Sequence, residues 1–192
     1  MKVLMLNGSR RPNGCTNEAL KLVAASLQEE GIESEILFVG QDAINGKLKE
    51  SLLNLKEKCG QADAFVFGAP VYYASPTGEI QIILDRLFGM AKEELRCKPA
   101  ALVTSARRGG TTSTLDVLAK YPTINEMPVI SANYWTMVHG SNPEDVMKDL
   151  EGVAVMKNLG KNMAWILKCI EAGKKAGIHK PEVMDKPQTN FV

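Results

Sequence analysis

The sequence predicts an α/β protein built on a doubly wound parallel sheet, and three observations predict it. Short β-type apolar runs alternate along the chain with longer helix-type stretches. The run Ala64 to Phe67 is continuously apolar, as expected of a central strand buried on both faces. The segments after the first, third and fourth strands are rich in glycine, hydroxyl, amide or arginine residues, and ligands bind such sheets outside the carboxyl ends of the strands.

The elements follow in order. Val3 to Leu6 is a buried strand, and Thr16 to Glu30 a helix with Leu20, Val23, Ala24 and Leu27 on one face and Gly31 as its stop. Ile36 to Val39 is the second strand. Leu48, Leu52 and Leu55 mark a charged amphipathic helix, and the Lys/Glu-rich stretch Lys47 to Lys58 is its solvated face. After the third strand, Ile80, Ile83, Leu84, Leu87 and Phe88 recur at the spacing of a helix packed on a sheet. Ala100 to Thr104 is the fourth strand, Leu115 and Leu118 mark a short helix, and Val129 to Ser131 is the expected fifth strand. Asn142-Pro143-Glu144 opens a long helix running toward Gly173, with Gly160 as an expected break or kink. The chain thus divides into one domain, residues 1–172, and an extended tail, residues 173–192, that carries Gly177, Pro181 and Pro187 and either lacks order or packs on a partner subunit.

Composition removes several classes of function. The 192 residues carry 23 Lys plus Arg against 22 Asp plus Glu, and this balance gives no general drive toward nucleic acid or anionic lipid. No apolar run approaches the roughly 20 residues of a membrane helix, so the expectation is a cytoplasmic protein. Cys15, Cys59, Cys97 and Cys169 are scattered without a C-x-x-C pair, which argues against a disulfide framework and against a metal cage within one chain.

Chemistry is expected in the three loops. Asn7 to Asn17 delivers the chain into a helix N-terminus, where free N–H groups, Ser9 and Thr16 hydroxyls and an arginine suit a phosphate. The same residues also suit a plain polar turn with Thr16 as N-cap. The loop matches neither the nucleoside-triphosphate nor the dinucleotide glycine fingerprint. Of six arginines, four form the pairs Arg10-Arg11 and Arg107-Arg108 after strands on one predicted sheet edge, which favours an anion there. Two of the four tyrosines, Tyr72 and Tyr73, interrupt the Pro/Gly-bounded loop Gly68 to Gly78 and offer a flat ligand surface or a structural aromatic corner. Gly109-Gly110 lets backbone approach a ligand, though such a pair is also a common turn. Cys15 is read as a small residue of the phosphate loop rather than a reactive thiol, and His139 as a polar loop residue.

Taken together, Gly8-Ser9-x-Arg11-x-x-Gly14-x-Thr16, Pro70-Val71-Tyr72-Tyr73-x-Ser75 with Asp85-Arg86 in the next helix, and Arg108-Gly109-Gly110 resemble the NADPH-dependent FMN reductase and iron-sulfur flavoprotein branch of the flavodoxin-like proteins. The resemblance spans about residues 1–172 and implies a five-stranded, three-layer α/β/α fold. It implies FMN, with its phosphate on Ser9, Arg11, Gly14, the Cys15 backbone, Thr16 and Asn17. The isoalloxazine would lie against Pro70, Val71, Tyr72, Tyr73 and Ser75, edged by Ser105, Arg107, Arg108, Gly109 and Gly110. Two departures stand out. Val39 to Lys47 contains no cysteine, where iron-sulfur members carry a compact cluster, and Arg10 adds a charge inside the first motif.

The expected function is an FMN-dependent oxidoreductase that passes hydride from NADPH or NADH through FMN to a quinone, a flavin or a similar small acceptor. No loop shows a paired-carboxylate or Ser-His-Asp pattern, and this chemistry needs none. The alternative is a flavodoxin-type FMN electron carrier, which resembles its class in being acidic, unlike this chain at +1. A phosphoacceptor receiver domain is disfavoured because Val3 to Asn7 has no acid. The apolar stripe of the terminal helix and the tail predict a homo-oligomer, a dimer or tetramer.

Overall fold

The computed structural model describes residues 1–184 and 187–189. Its elements run β1 (Lys2–Asn7), α1 (Cys15–Glu29), β2 (Glu33–Phe38), α2 (Leu48–Gln61), β3 (Ala64–Tyr72), β4 (Ser75–Pro76), α3 (Gly78–Met90), α4 (Lys92–Leu95), β5 (Ala100–Ala106), α5 (Thr111–Ile124), β6 (Met137–His139), α6 (Pro143–Val146) and α7 (Leu150–Lys175). The parallel order is β2-β1-β3-β5-β6, with the two-residue β4 antiparallel to the end of β3. The parallel path therefore has the five strands expected, and the sixth is a hairpin arm.

The two-residue side-chain period of a strand divides the core in two. Leu4, Leu6, Phe65, Phe67 and Leu102 point to the side covered by Leu52 and Leu55 of α2, Ile80 to Leu87 of α3, and Leu115 and Leu118 of α5. Val3, Met5, Val66, Ala101 and Val103 point to the side covered by Leu20, Val23 and Leu27 of α1 and by Met156, Leu159, Met163 and Leu167 of α7. Both faces of the sheet are buried, which is why its strands read as continuous apolar runs.

Four elements differ from the sequence expectation. The fifth strand is not Val129–Ser131: Val129 forms a single bridge with Ala100, the chain then leaves the sheet, and strand pairing resumes at Met137–His139 beside Thr104–Ala106. The detour is held outside by α7, where Asn162 donates to the Ser131 carbonyl and the Asn133 N–H donates to Asn158. The helix opened by Asn142-Pro143-Glu144 is closed after one turn by Val146, and a new helix starts from Asp149, whose carboxylate accepts the Gly152 N–H. Gly160 is no kink. Helix α7 runs unbroken through it, and a Cβ there would stand 2.6 Å from the Cβ of Ser26 and 2.8 Å from the Val23 carbonyl, so the glycine lets α7 lie close on α1. Finally, α5 spans 14 residues and ends just past Pro122, whose missing N–H leaves the Leu118 carbonyl without its helical donor.

Beyond α7 the chain turns at Gly177 (φ +84°) and folds back on its own domain. Arg96, 4% exposed, donates to the carbonyls of Pro181 and Glu182 and to Glu126. Among the described residues no helix is long and apolar enough to cross a membrane.

Candidate functional site

The carboxyl ends of β1, β3 and β5 lie side by side, in register Asn7 with Gly68 and Pro70 with Ser105, and bring the three glycine-bearing segments together. The first is wrapped around a buried amide. Asn7 is fully buried; its Nδ2 donates to the Pro12 carbonyl and to Asn17, and its Oδ1 accepts the Ser9 N–H at 3.1 Å. Ser9 Oγ in turn accepts the Arg11 N–H at 3.1 Å. The chain after β2 closes one side, and a Cβ on Gly40 would lie on the Ser9 carbonyl oxygen at 1.7 Å. Thr77 closes another by donating to the Gly8 carbonyl at 2.9 Å.

This scaffold leaves a helix end open. Helix α1 starts from Gly14, which has no side chain to cap it, and among the described residues the N–H groups of Cys15, Thr16 and Asn17 meet no loop or side-chain acceptor. Thr16 does not serve as the N-cap: it lies inside the helix, and its Oγ1 pairs with Ser105 Oγ at 2.8 Å, joining the first loop to β5. Three free donors at the positive end of a 15-residue helix form an anion cradle. The cysteine beside them is disfavoured as a thiolate. Burial, the largest influence, pushes the Cys15 thiol up, and its Sγ donates to the Gly140 carbonyl.

The arginines divide unequally. Arg10 is held by Glu79 at 3.2 Å and its carbonyl by Gln41, whereas Arg11, Arg107 and Arg108 are exposed and have no carboxylate partner among the described residues. The sequence left open which of the first pair faces an anion. The ion pair of Arg10 leaves Arg11 available.

The second segment is not a loose loop. Strand β3 continues through Pro70 and Val71 to Tyr72, then reverses through Tyr73 and Ala74 to pair Tyr72 with Ser75 and Val71 with Pro76. Tyr73 and Ala74 both take positive φ, +51° and +57°, the geometry of a two-residue type I′ hairpin turn that usually selects Gly or Asn. Tyr73 projects fully into solvent, and Tyr72 is 41% exposed. The third segment rests on this hairpin. Gly110, at φ +92°, starts α5, and a Cβ there would collide with Ala74 and Val71. Gly109 and the two arginines crown the same turn. The hydroxyl of Thr104, one residue below the Ser105 contact, is buried without a hydrogen-bond partner among the described residues.

All sixteen residues singled out from the sequence thus lie in three abutting segments at one sheet edge, while His139 sits in β6 with its N–H on Asp149. Asn7, Gly40 and Thr77 were missed as builders of the site. An asparagine ending an apolar strand was a legible signal. Gly40 and Thr77 carried none, because their contacts span many residues.

An open parallel sheet of this order, with an uncapped helix end after its first strand and an aromatic hairpin after its third, defines a flavodoxin-like flavoprotein. The chain belongs to the NADPH-dependent FMN reductase family, whose model matches residues 1–142. It is 27% identical to an iron-sulfur flavoprotein of Methanocaldococcus jannaschii, an alignment covering 89% of this chain and all of the relative. An FMN-dependent NADPH-azoreductase of Staphylococcus aureus is 26% identical over 59% of this chain and 64% of the relative. The fold superimposes on a flavodoxin from the domain Archaea with a TM-score of 0.63 at 14% identity, covering 88% of this chain and 99% of that one. FMN is accordingly the flavin of this protein and NADPH a co-substrate. The donor set fits: free amides, a free guanidinium and hydroxyls for a phosphate, and a rigid aromatic turn for a ring.

Proposed function

We propose that the chain is an FMN-dependent NAD(P)H oxidoreductase whose acceptor is a small quinone, a flavin or a similar planar molecule. The observation that carries this reading is the uncapped start of α1 close to Arg11, which has no carboxylate partner among the described residues, at the same end of the sheet as the Tyr72-Tyr73 hairpin. Bound FMN supplies the hydride and electron chemistry between nicotinamide and acceptor. The amides of Cys15, Thr16 and Asn17, the Ser9 hydroxyl and Arg11 would hold its phosphate. Pro70, Val71, Tyr72, Tyr73 and Ser75 would form the wall for the flavin ring. Ser105, Arg107, Arg108, Gly109 and Gly110 border the ring edge, and the exposed arginines offer charge to the phosphates of a nicotinamide nucleotide.

A flavin packed on the hairpin would leave one site for nicotinamide and acceptor to use in turn, so ping-pong turnover is the expected kinetics. Anaerobic mixing with NADPH alone is expected to bleach the flavin absorbance, and a quinone to restore it. Tyr73→Ala is expected to slow both half-reactions. A flavin that stays oxidised under anaerobic excess of NADPH and NADH would move the reading to an electron carrier. The protein is also expected to assemble as a homodimer or homotetramer through the exposed Tyr134, Trp135 and Trp165, which ultracentrifugation would show. Four free thiols fit the reducing cytoplasm.

A further inference from the structure

At the end of the sheet opposite the three loops lies a cavity of about 1120 Å³. Met1 before β1, Asp63 before β3 and Pro99 before β5 line its floor, α7 forms a wall, and the chain from Ile178 to Pro181 passes along it. That passing segment is anchored, because Arg96 holds the carbonyls of Pro181 and Glu182 at 3.0 and 3.1 Å from within the domain. Pro99, Pro128, Leu167, Ile170 and Ile178 give the chamber an apolar lining.

Its charges are not balanced in place. Two of the three acids on the lining are in ion pairs, Glu126 with Arg96 and Glu171 with Lys175, while Asp63 accepts only the backbone N–H of Lys2. The ammonium groups of Lys174 and Lys180 have no carboxylate partner among the described residues, and Lys98 reaches the Cys59 carbonyl rather than an acid. Among the described residues, Lys98, Lys174 and Lys180 stand outside ion pairs against one carboxylate, Asp63, that does so too, and an apolar chamber with this cationic excess selects an apolar body carrying an anionic head. We propose that this cavity is a second ligand site, distinct from the flavin site, that binds a small apolar carboxylate with its hydrocarbon or aromatic body on the proline and isoleucine wall and its carboxylate at Lys174 and Lys180. Binding there is reversible and involves no chemistry at the ligand.

The test uses the FMN-loaded protein and dodecanoate below its micelle concentration, followed by titration calorimetry. Saturable binding of one dodecanoate per chain is expected, at least tenfold tighter than dodecanol or dodecyltrimethylammonium. Two reporters locate it: Cys97 and Cys169 line the cavity and should be shielded from alkylation, whereas Cys15, at the flavin end, should not. Lys174 and Lys180 are exposed and lie outside both apolar cores, so the double variant Lys174→Glu, Lys180→Glu is expected to fold, retain FMN and bind dodecanoate at least tenfold more weakly. Absence of binding, equal binding of the three amphiphiles, release of FMN by dodecanoate, unshielded Cys97 and Cys169, or an unchanged affinity of the double variant would each overturn the proposal.

Discussion

A Cβ on Gly110 would stand 2.8 Å from the Cα of Ala74, so the turn that starts α5 rests directly on the hairpin that ends β3. Two of the three candidate site loops are therefore packed backbone against backbone. Because Gly110 also sits at φ +92°, Gly110→Ala suffers both strain and collision. The expected loss is about 1–3 kcal/mol of stability by urea denaturation, with weaker FMN binding by fluorescence titration.

Ala74 itself occupies the left-handed region without being glycine. Ala74→Gly removes that strain at the cost of a more flexible unfolded chain. A net gain of about 0.5–1 kcal/mol is expected in urea denaturation. A loss would show that the hairpin draws stability from the Ala74 methyl group.

Arg11→Ala removes a charged hydrogen-bond donor worth about 1.5–3 kcal/mol, so FMN affinity is expected to fall tenfold or more while riboflavin affinity holds. Arg10→Ala is expected to cost less, since Glu79 already engages that guanidinium. Equal losses in both variants, measured by equilibrium dialysis, would contradict this division.

Gly160→Leu forces a side chain into backbone and the Ser26 side chain of α1. Overpacking of this kind costs about 1–3 kcal/mol or more, and a lowered midpoint in thermal unfolding is the readout.

Glu35 lies between Lys2 and Lys58, whose hydrogen bonds hold its carboxyl below the ordinary value of 4.5. Its contribution is present above the unfolded value and lost as pH falls through the folded one. Glu35→Gln should cost about 0.5–1 kcal/mol at pH 7, and the difference from the parent should shrink as pH drops below about 4.5.

What the sequence determined by itself was whatever depends on local order and periodicity. Continuous apolar runs specified buried parallel strands, helix stripes specified the faces that cover them, and glycine, hydroxyl and arginine residues after strands one, three and four marked the edge proposed to bind the flavin. Tertiary structure decided everything that depends on residues distant in sequence. The last strand moved from Val129–Ser131 to Met137–His139 because strand identity is a matter of partners, and β5 offered its free edge to the later segment while α7 held the earlier one aside. Gly160 read as a helix breaker, yet the approach of α1 makes it a contact that no larger residue fits. Arg10 and Arg11 are equivalent as letters; the placement of Glu79 at the start of α3 separates them, because a guanidinium already neutralised by a carboxylate has less attraction left for a phosphate.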